Sequence, residues 1–174
     1  MTIKKILTEP DPFLRQKSQV VEKVDDEIRR LMDDMLDTMY SAQGIGLAAI
    51  QIGIAKRIIV IDLLKEKEKK NPLYFINPEI IWSSKEDATY EEGCLSVPGQ
   101  FAEIDRPDKC HIKYLDYNGI KKELKAEGLL ATCIQHEIDH LEGILFIDYL
   151  SKLKKSLITK KLSKQKKELE RIVV

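Results

Sequence analysis

An α+β fold, with small antiparallel sheets around a central helix and a further helix at the C-terminal end, is predicted by three features of this 174-residue chain. Strand-like apolar runs recur at 57–63, 73–82, 89–92, 110–117 and 120–125 with short connections. No helical stretch lies between them to carry a parallel crossover, so the strands are expected to pair antiparallel. Residues 129–141 are apolar on nearly every side, which marks a central, buried helix rather than a surface one.

Taken in chain order, the first helix begins at Asp25, a suitable N-cap, and Ile28, Leu31, Met32, Met35, Leu36 and Met39 recur at helical spacing. Its methionines read as core filling. The run Gly44-Ile45-Gly46-Leu47-Ala48-Ala49-Ile50-Gln51-Ile52-Gly53 imitates the dinucleotide fingerprint G-x-G-x-x-A, which needs a strand before it and a helix after it. Here a helix precedes and the buried strand Arg57-Ile58-Ile59-Val60-Ile61-Asp62 follows, so the glycines are read as admitting a substrate backbone, with Gln51 offering an amide donor. Residues 65–72, rich in Lys and Glu and ending in Asn71-Pro72, are expected to be a solvated hairpin loop. Gly143 stops the central helix.

The last segment has its own character. Residues 151–174 carry nine basic side chains against Glu168 and Glu170, an excess of seven positive charges, while the first 150 residues carry an excess of seven negative ones. Leu153, Leu157, Leu162, Leu169 and Ile172 give it an apolar stripe, so it reads as a basic amphipathic helix. We expect one catalytic domain over 1–174, with 151–174 as an appended helix. At 43% hydrophobic and 33% charged residues, the chain can bury a single core. No long apolar run suggests a membrane span, and the opening residues lack a secretory h-region. Three widely spaced cysteines make no disulfide framework and suit a reducing compartment. The expected location is the cytoplasm.

The strongest chemical signal is Gln135-His136-Glu137-Ile138-Asp139-His140-Leu141-Glu142-Gly143. On a helix, residues four apart share a face, so His136 and His140 can aim at one divalent ion with Glu137 beside the water it activates. Burying these three groups together is costly unless a metal accounts for them. A catalytic centre usually takes a third protein ligand. His111 lies in the strand-like run from Cys110, and the metzincin pattern fails because its third histidine position is Phe146. Cys133 sits about 10.5 Å along the helix axis from His140 at ~1.5 Å per residue, too far for one ion, and reads as a small buried hydrophobe. Cys94, within Glu91-Glu92-Gly93-Cys94-Leu95-Ser96-Val97-Pro98-Gly99, is the candidate third ligand, because Gly93 allows close backbone approach and the glutamates are poorly suited to a plain core strand.

Together, the stretch from Gly44 to Gln51, Glu92-Gly93-Cys94-Leu95-Ser96 and the stretch from Gln135 to Gly143 closely resemble peptide deformylase in order and spacing. Pro10-Asp11-Pro12-Phe13-Leu14-Arg15 and Ile76-Asn77-Pro78 add to the likeness, which covers residues from about 6 to 150. The resemblance implies Cys94, His136 and His140 as metal ligands, Glu137 as general acid and base, and Gln51 with the backbone N–H of Leu95 as oxyanion stabilisers. Its substrate would be the N-formylmethionyl end of a nascent polypeptide, and its products formate and a free amino terminus. The expected substrate-binding set is Gly44, Ile45, Gly46, Glu92, Gly93, Leu130, Cys133 and Ile134, with Ile45, Leu130, Cys133 and Ile134 as candidates for an apolar methionine pocket, each equally well explained as ordinary core. Glu92 has a second reading, as a carboxylate that orients a ligand or pairs with Arg106.

One divalent metal per chain is expected. The Cys/His/His set suits zinc and also iron(II), and the resemblance puts iron(II) first. It also implies contact between the basic C-terminal helix and ribosomal RNA, and a bacterial type whose chain ends in a helix. Neither DNA nor a membrane is an expected partner. Where some members of that family carry a basic residue shortly after the cysteine motif, this chain has Phe101. Two other readings share these residues: a zinc peptidase, which usually lacks a cysteine ligand, and a structural-metal RNA-binding protein, which would need four ligands and no Glu137.

Overall fold

The computed structural model describes residues 2–63 and 69–172. The chain runs through α1 (Asp26–Ser41), β1 (Gly46–Ala48), β2 (Ile58–Ile61), β3 (Leu73–Ser83), β4 (Asp87–Cys94), β5 (Val97–Pro107), β6 (Lys109–Leu115), β7 (Lys121–Glu127), α2 (Gly128–Leu141) and α3 (Lys152–Ile172). Single 3-10 turns occupy Pro12–Arg15, Ala49–Ile52 and Phe146–Tyr149. Strands β1-β2-β3-β6-β7 form one five-stranded sheet, β4 and β5 form a separate hairpin, and every pairing among these strands is antiparallel. This is the expected α+β architecture, although the principal sheet is broader than the small sheets anticipated.

Strand β2 explains how the layers stack. Its four residues are all buried, and because side chains alternate across a sheet, they serve two cores. Ile58 and Val60 join Met32, Met35 and Met39 of α1, while Ile59 and Ile61 join Ala131, Ile134 and Leu141 of α2. Burying each such side chain stabilises the fold by ~1.5–3 kcal/mol. The sheet is thus sandwiched, with α2 on its inner face and α1 covering the other. Helix α1 starts as expected, with the Asp25 carboxylate accepting from the Ile28 amide at 3.0 Å.

Strand β5 and the short β1 were not anticipated. Pro98 and Gly99 punctuate the start of β5 as a loop would, and the hairpin turn is Leu95-Ser96, with Cys94 opposite Val97. Residues 65–68 of the hairpin loop expected at 65–72 lie outside the described residues. Among the described residues no helix is long and apolar enough to cross a membrane.

A third core joins the hairpin to the C-terminal helix through Val97, Ile104, Leu145, Phe146, Ile147 and Leu162. Only part of the expected apolar stripe faces it: Leu162 is buried, with Ile158 one turn away, whereas Leu153, Leu157 and Leu169 are exposed. The seat of α3 is held by Asp148, which accepts from Arg15 at 2.6 Å and from the Leu145 amide at 3.1 Å and lies 2.7 Å from Lys155 Nζ. Burial pushes its carboxyl upward, but the hydrogen bonds from Lys155 and Arg15 prevail and hold it below its ordinary value. A carboxylate with a depressed folded pKa contributes stability above its unfolded pKa of ~3.9, and loses it as pH falls through the folded value. Asp148→Asn should therefore cost ~1–2 kcal/mol at neutral pH and far less in acid. Urea melts of both proteins at the two pH values check this; equal loss in acid would contradict it.

Candidate metal centre

Helix α2 places His136 and His140 one turn apart on the same face, with ring centroids 5.0 Å apart. Strand β4 ends at Cys94, directly before the Leu95-Ser96 turn that folds the hairpin against this helix. One ligand atom from each of Cys94, His136 and His140 lies within 4.8 Å of the others, and Cys94 Sγ is 3.4 Å from His140 Nε2. His111 is elsewhere, on β6 and stacked on Trp82. Cys110 is buried in the sheet core.

The surroundings prepare these donors for a cation. His136 Nδ1 lies 2.7 Å from Glu92 Oε1, and Glu92 also accepts from Arg106 Nε at 2.7 Å and from Arg106 Nη2 at 3.0 Å. An acceptor-only carboxylate fixes the histidine proton on Nδ1, which leaves Nε2 as the free ligand atom. Burial foremost drives His140 well below its ordinary pKa, so its imidazole is neutral as a ligand must be. The Ser96 amide donates to Cys94 Sγ at 3.4 Å, which holds the sulfur in place beside the histidines.

Glu137 sits beside the trio and is 4% exposed, with Oε2 buried and without a hydrogen-bond partner. Burial foremost, opposed by His136 and reinforced by Glu92, raises its carboxyl to about 7. An orphaned buried carboxylate oxygen next to one sulfur and two nitrogen donors is what a three-ligand divalent site with a water position would require. The residues fit such an ion, and the donor set suits iron(II) or zinc.

Gln51 is locked from both ends. Its Oε1 accepts from the Ala48 amide at 2.9 Å, while Nε2 donates to Ser96 Oγ at 3.0 Å and lies 3.6 Å from Cys94 Sγ. The donor end is therefore aimed at the cysteine. Gly46 is where β1 meets α2: a Cβ there would collide with the Glu137 carboxylate. Gly46→Ala should displace Glu137 and lower turnover ~100-fold, the usual cost of a small misplacement in a reactive pair. Steady-state kinetics would check this, and turnover within about threefold of wild type would contradict it.

These groups open into a cleft of ≈ 480 Å³. Gly44, Ile45, Gly46, Gly93, Cys133, Glu92 and Leu95 all line it, along with Gln51, Cys94, His136 and Glu137. Leu130 and Ile134 do not; Ile134 is fully buried in the sheet core, and Leu130 packs against that core. Helical phase explains the difference, because Leu129, Thr132, Cys133, His136 and Glu137 share the cleft-facing stripe, and 130 and 134 fall off it. Glu92, though it borders the cleft, spends both carboxylate oxygens on His136 and Arg106.

Sequence reasoning missed the rest of that network. Arg106 Nη1 donates to Asp139 Oδ2 at 2.8 Å, Tyr149 OH donates to the same oxygen at 2.7 Å, and the guanidinium lies over the Tyr149 ring. Asp139 stands in the same motif as the histidines, and Arg106 shares a hairpin face with Glu92, which is the signal that could have exposed them.

A family model described as polypeptide deformylase matches residues 3–156. The chain is 68% identical over 176 residues to a peptide deformylase of Pelagibacter ubique, covering 100% of both, and 60% identical to one of Phenylobacterium zucineum, covering 96% of this chain and 99% of the other. Among solved structures, the peptide deformylase from Ehrlichia chaffeensis in complex with actinonin superposes with a TM-score of 0.91 at 48% identity, covering 95% of this chain and 98% of that one. The Legionella pneumophila peptide deformylase gives a TM-score of 0.89 at 46% identity, covering 98% and 99%. A match of this extent, on a chain whose three coupled motifs converge at one cleft, means that the chain belongs to the peptide deformylase family.

Proposed function

We propose that Cys94, His136 and His140 hold one divalent ion and that Glu137, Gln51 and the Leu95 N–H carry out hydrolysis of the formyl amide of an N-formylmethionyl peptide. The observation that carries this reading is the buried Glu137 carboxylate, one oxygen unpartnered, beside a sulfur and two nitrogen donors at the wall of an open cleft. When bound, the ion supplies Lewis acidity that brings a water's pKa toward neutrality. Glu137 accepts a proton from the attacking water. As the water oxygen bonds to the formyl carbon, the Gln51 amide and the Leu95 N–H donate to the oxygen that gains charge. Glu137 then returns the proton to the departing nitrogen as the carbon–nitrogen bond breaks. Formate and a free methionine amino group result.

Iron(II) is the first choice of metal and zinc the second; the mixed sulfur and nitrogen donors support both. The same reading puts the protein in the cytoplasm, where a thiolate ligand stays reduced, and brings the basic face of α3 to the ribosome. The exposure of nearly all of its lysines supports that contact.

Product analysis tests the activity. Metal-loaded protein incubated with formyl-Met-Ala-Ser should release formate in equal amount to deformylated, otherwise intact tripeptide. Cleavage at an internal amide would favour the peptidase reading instead.

A further inference from the structure

The three ligands come from two separate elements, Cys94 from the β4–β5 hairpin and both histidines from α2. A fixed ligand geometry therefore needs ties between hairpin and helix. Arg106 on β5 supplies one, through Glu92 on β4 and Asp139 on α2. A second lies at the hairpin turn, and neither element makes it.

It comes from the N-terminal segment. The Leu7 amide donates to the Gln51 carbonyl at 2.7 Å, the Glu9 amide to the Ser96 carbonyl at 2.8 Å, and the Ser18 amide to the Leu141 carbonyl at 2.8 Å. Residues 7–18 thus touch all three motifs, with Leu14 fully buried as their anchor. Arg15 Nη1 donates to the Gly143 carbonyl at 3.4 Å, and Arg15 Nη2 lies 3.5 Å from Glu9 Oε1. The Arg15 backbone runs so close to Gly143 that a Cβ there would collide with the Arg15 carbonyl. Ser96, just after Cys94, and Gly143, just after His140, are therefore joined through Glu9 and Arg15.

Stability alone does not account for this pair. Glu9 is 7% exposed, and its Oε2 is buried without a hydrogen-bond partner. A buried ion pair so incompletely satisfied often costs folding as much as it returns. We infer that Glu9 and Arg15 are positioning residues for the metal centre: by joining the hairpin turn to the end of α2, they set where Cys94 Sγ stands relative to His136 and His140. The inference rests on the metal-site reading of that trio. Loosening the tie should let the sulfur drift from the histidines and lower metal affinity about tenfold, as loss of a supporting contact around a metal does.

Cobalt(II) is the probe, because its absorption reports both the thiolate bond and the geometry of the ligand set. Cobalt-loaded Arg15→Met should show displaced or weakened thiolate and ligand-field bands, and should lose cobalt to a chelator at about tenfold lower chelator concentration than wild type. Glu9→Gln keeps the side-chain shape and the Ser96 contact, so it should show a smaller change of the same kind, and it carries the test if Arg15→Met does not fold. Asp148→Asn is the control, since it weakens the Arg15–Asp148 contact and loosens α3 but leaves Glu9, Arg15 and Gly143 joined. Its spectrum and cobalt affinity should match wild type even as its stability falls. Wild-type bands with affinities within about twofold of wild type in the folded variants, or an equal change in Asp148→Asn, would overturn the proposal and leave the metal site standing. A wild-type protein with no cobalt–thiolate band would overturn the metal site and the proposal together.

Discussion

Glu137→Gln is expected to lower the rate of formate release ~10³-fold, within the range a positioned acid–base group supplies, while retaining the metal. Its Oε2 is buried and lacks a hydrogen-bond partner, and a carboxamide preserves its shape without accepting a proton. Neither Cys94, His136 nor His140 is altered, so metal content should match wild type. KM should change little, because the proton transfer is made on the way to the transition state rather than in binding. Metal analysis and steady-state kinetics on the same preparation check both halves. Near-normal turnover would remove Glu137 from the chemistry, and loss of metal would make it a structural group instead.

Arg106→Met should have the largest effect on stability. Arg106 is 4% exposed and makes two hydrogen bonds to Glu92 and one to Asp139. Removing it leaves a buried carboxylate pressed against His136 without its counter-charge, and breaking one partner of a buried pair costs ~3–5 kcal/mol. The Glu92 carboxylate would then orient His136 less firmly, and metal affinity should fall ~10–100-fold. Urea unfolding with an unchanged m value, together with chelator competition, reads the two effects separately. Arg106→Lys should recover only part of either, since an ammonium cannot reproduce the paired guanidinium contacts. A loss of less than ~1 kcal/mol would show that Glu92 finds another partner, as surface ion pairs of that worth do.

The convergence of Cys94, His136 and His140 was legible because its pattern is local. Two histidines one turn apart with a glutamate between them, set in an otherwise apolar helix, need a reason that a metal supplies. Cys94 could be picked from the cysteines by what surrounds it, since Cys133 reads as a small buried hydrophobe and Cys110 begins a strand-like run with no nearby signal. The first helix was equally plain, because Asp25 and a helical apolar period agree. Strand β5 was not, because Val97-Pro98-Gly99 carries the stronger turn residues and the true turn, Leu95-Ser96, has neither glycine nor proline. Leu130 and Ile134 were placed in the pocket because a helix apolar on nearly every side does not disclose its phase. That phase is set by how the β4–β5 hairpin lies on α2. The Glu92–Arg106 pair was one of the readings of Glu92 from the sequence, and the folded hairpin supplies what the sequence did not, the register of Glu92 opposite Ala102 and Ala88 opposite Arg106.

The basic tail shows the same limit. Its helix was evident from period and charge, but Leu153 and Leu157 lie opposite the face that Ile158 and Leu162 bury. Only the position of the Phe146–Tyr149 turn decides which face docks.

The central claim is that one divalent ion, held by Cys94, His136 and His140, is needed for the reaction. The measurement that tests it most directly is the rate of formate release from a formyl-methionyl peptide as iron(II) is added back, without oxygen, to metal-stripped protein. The rate should rise from near zero in proportion to added metal and level off at one equivalent per chain, with no rise in Cys94→Ala. Full activity in the stripped protein, or a Cys94→Ala variant that recovers with the same stoichiometry, would contradict the account.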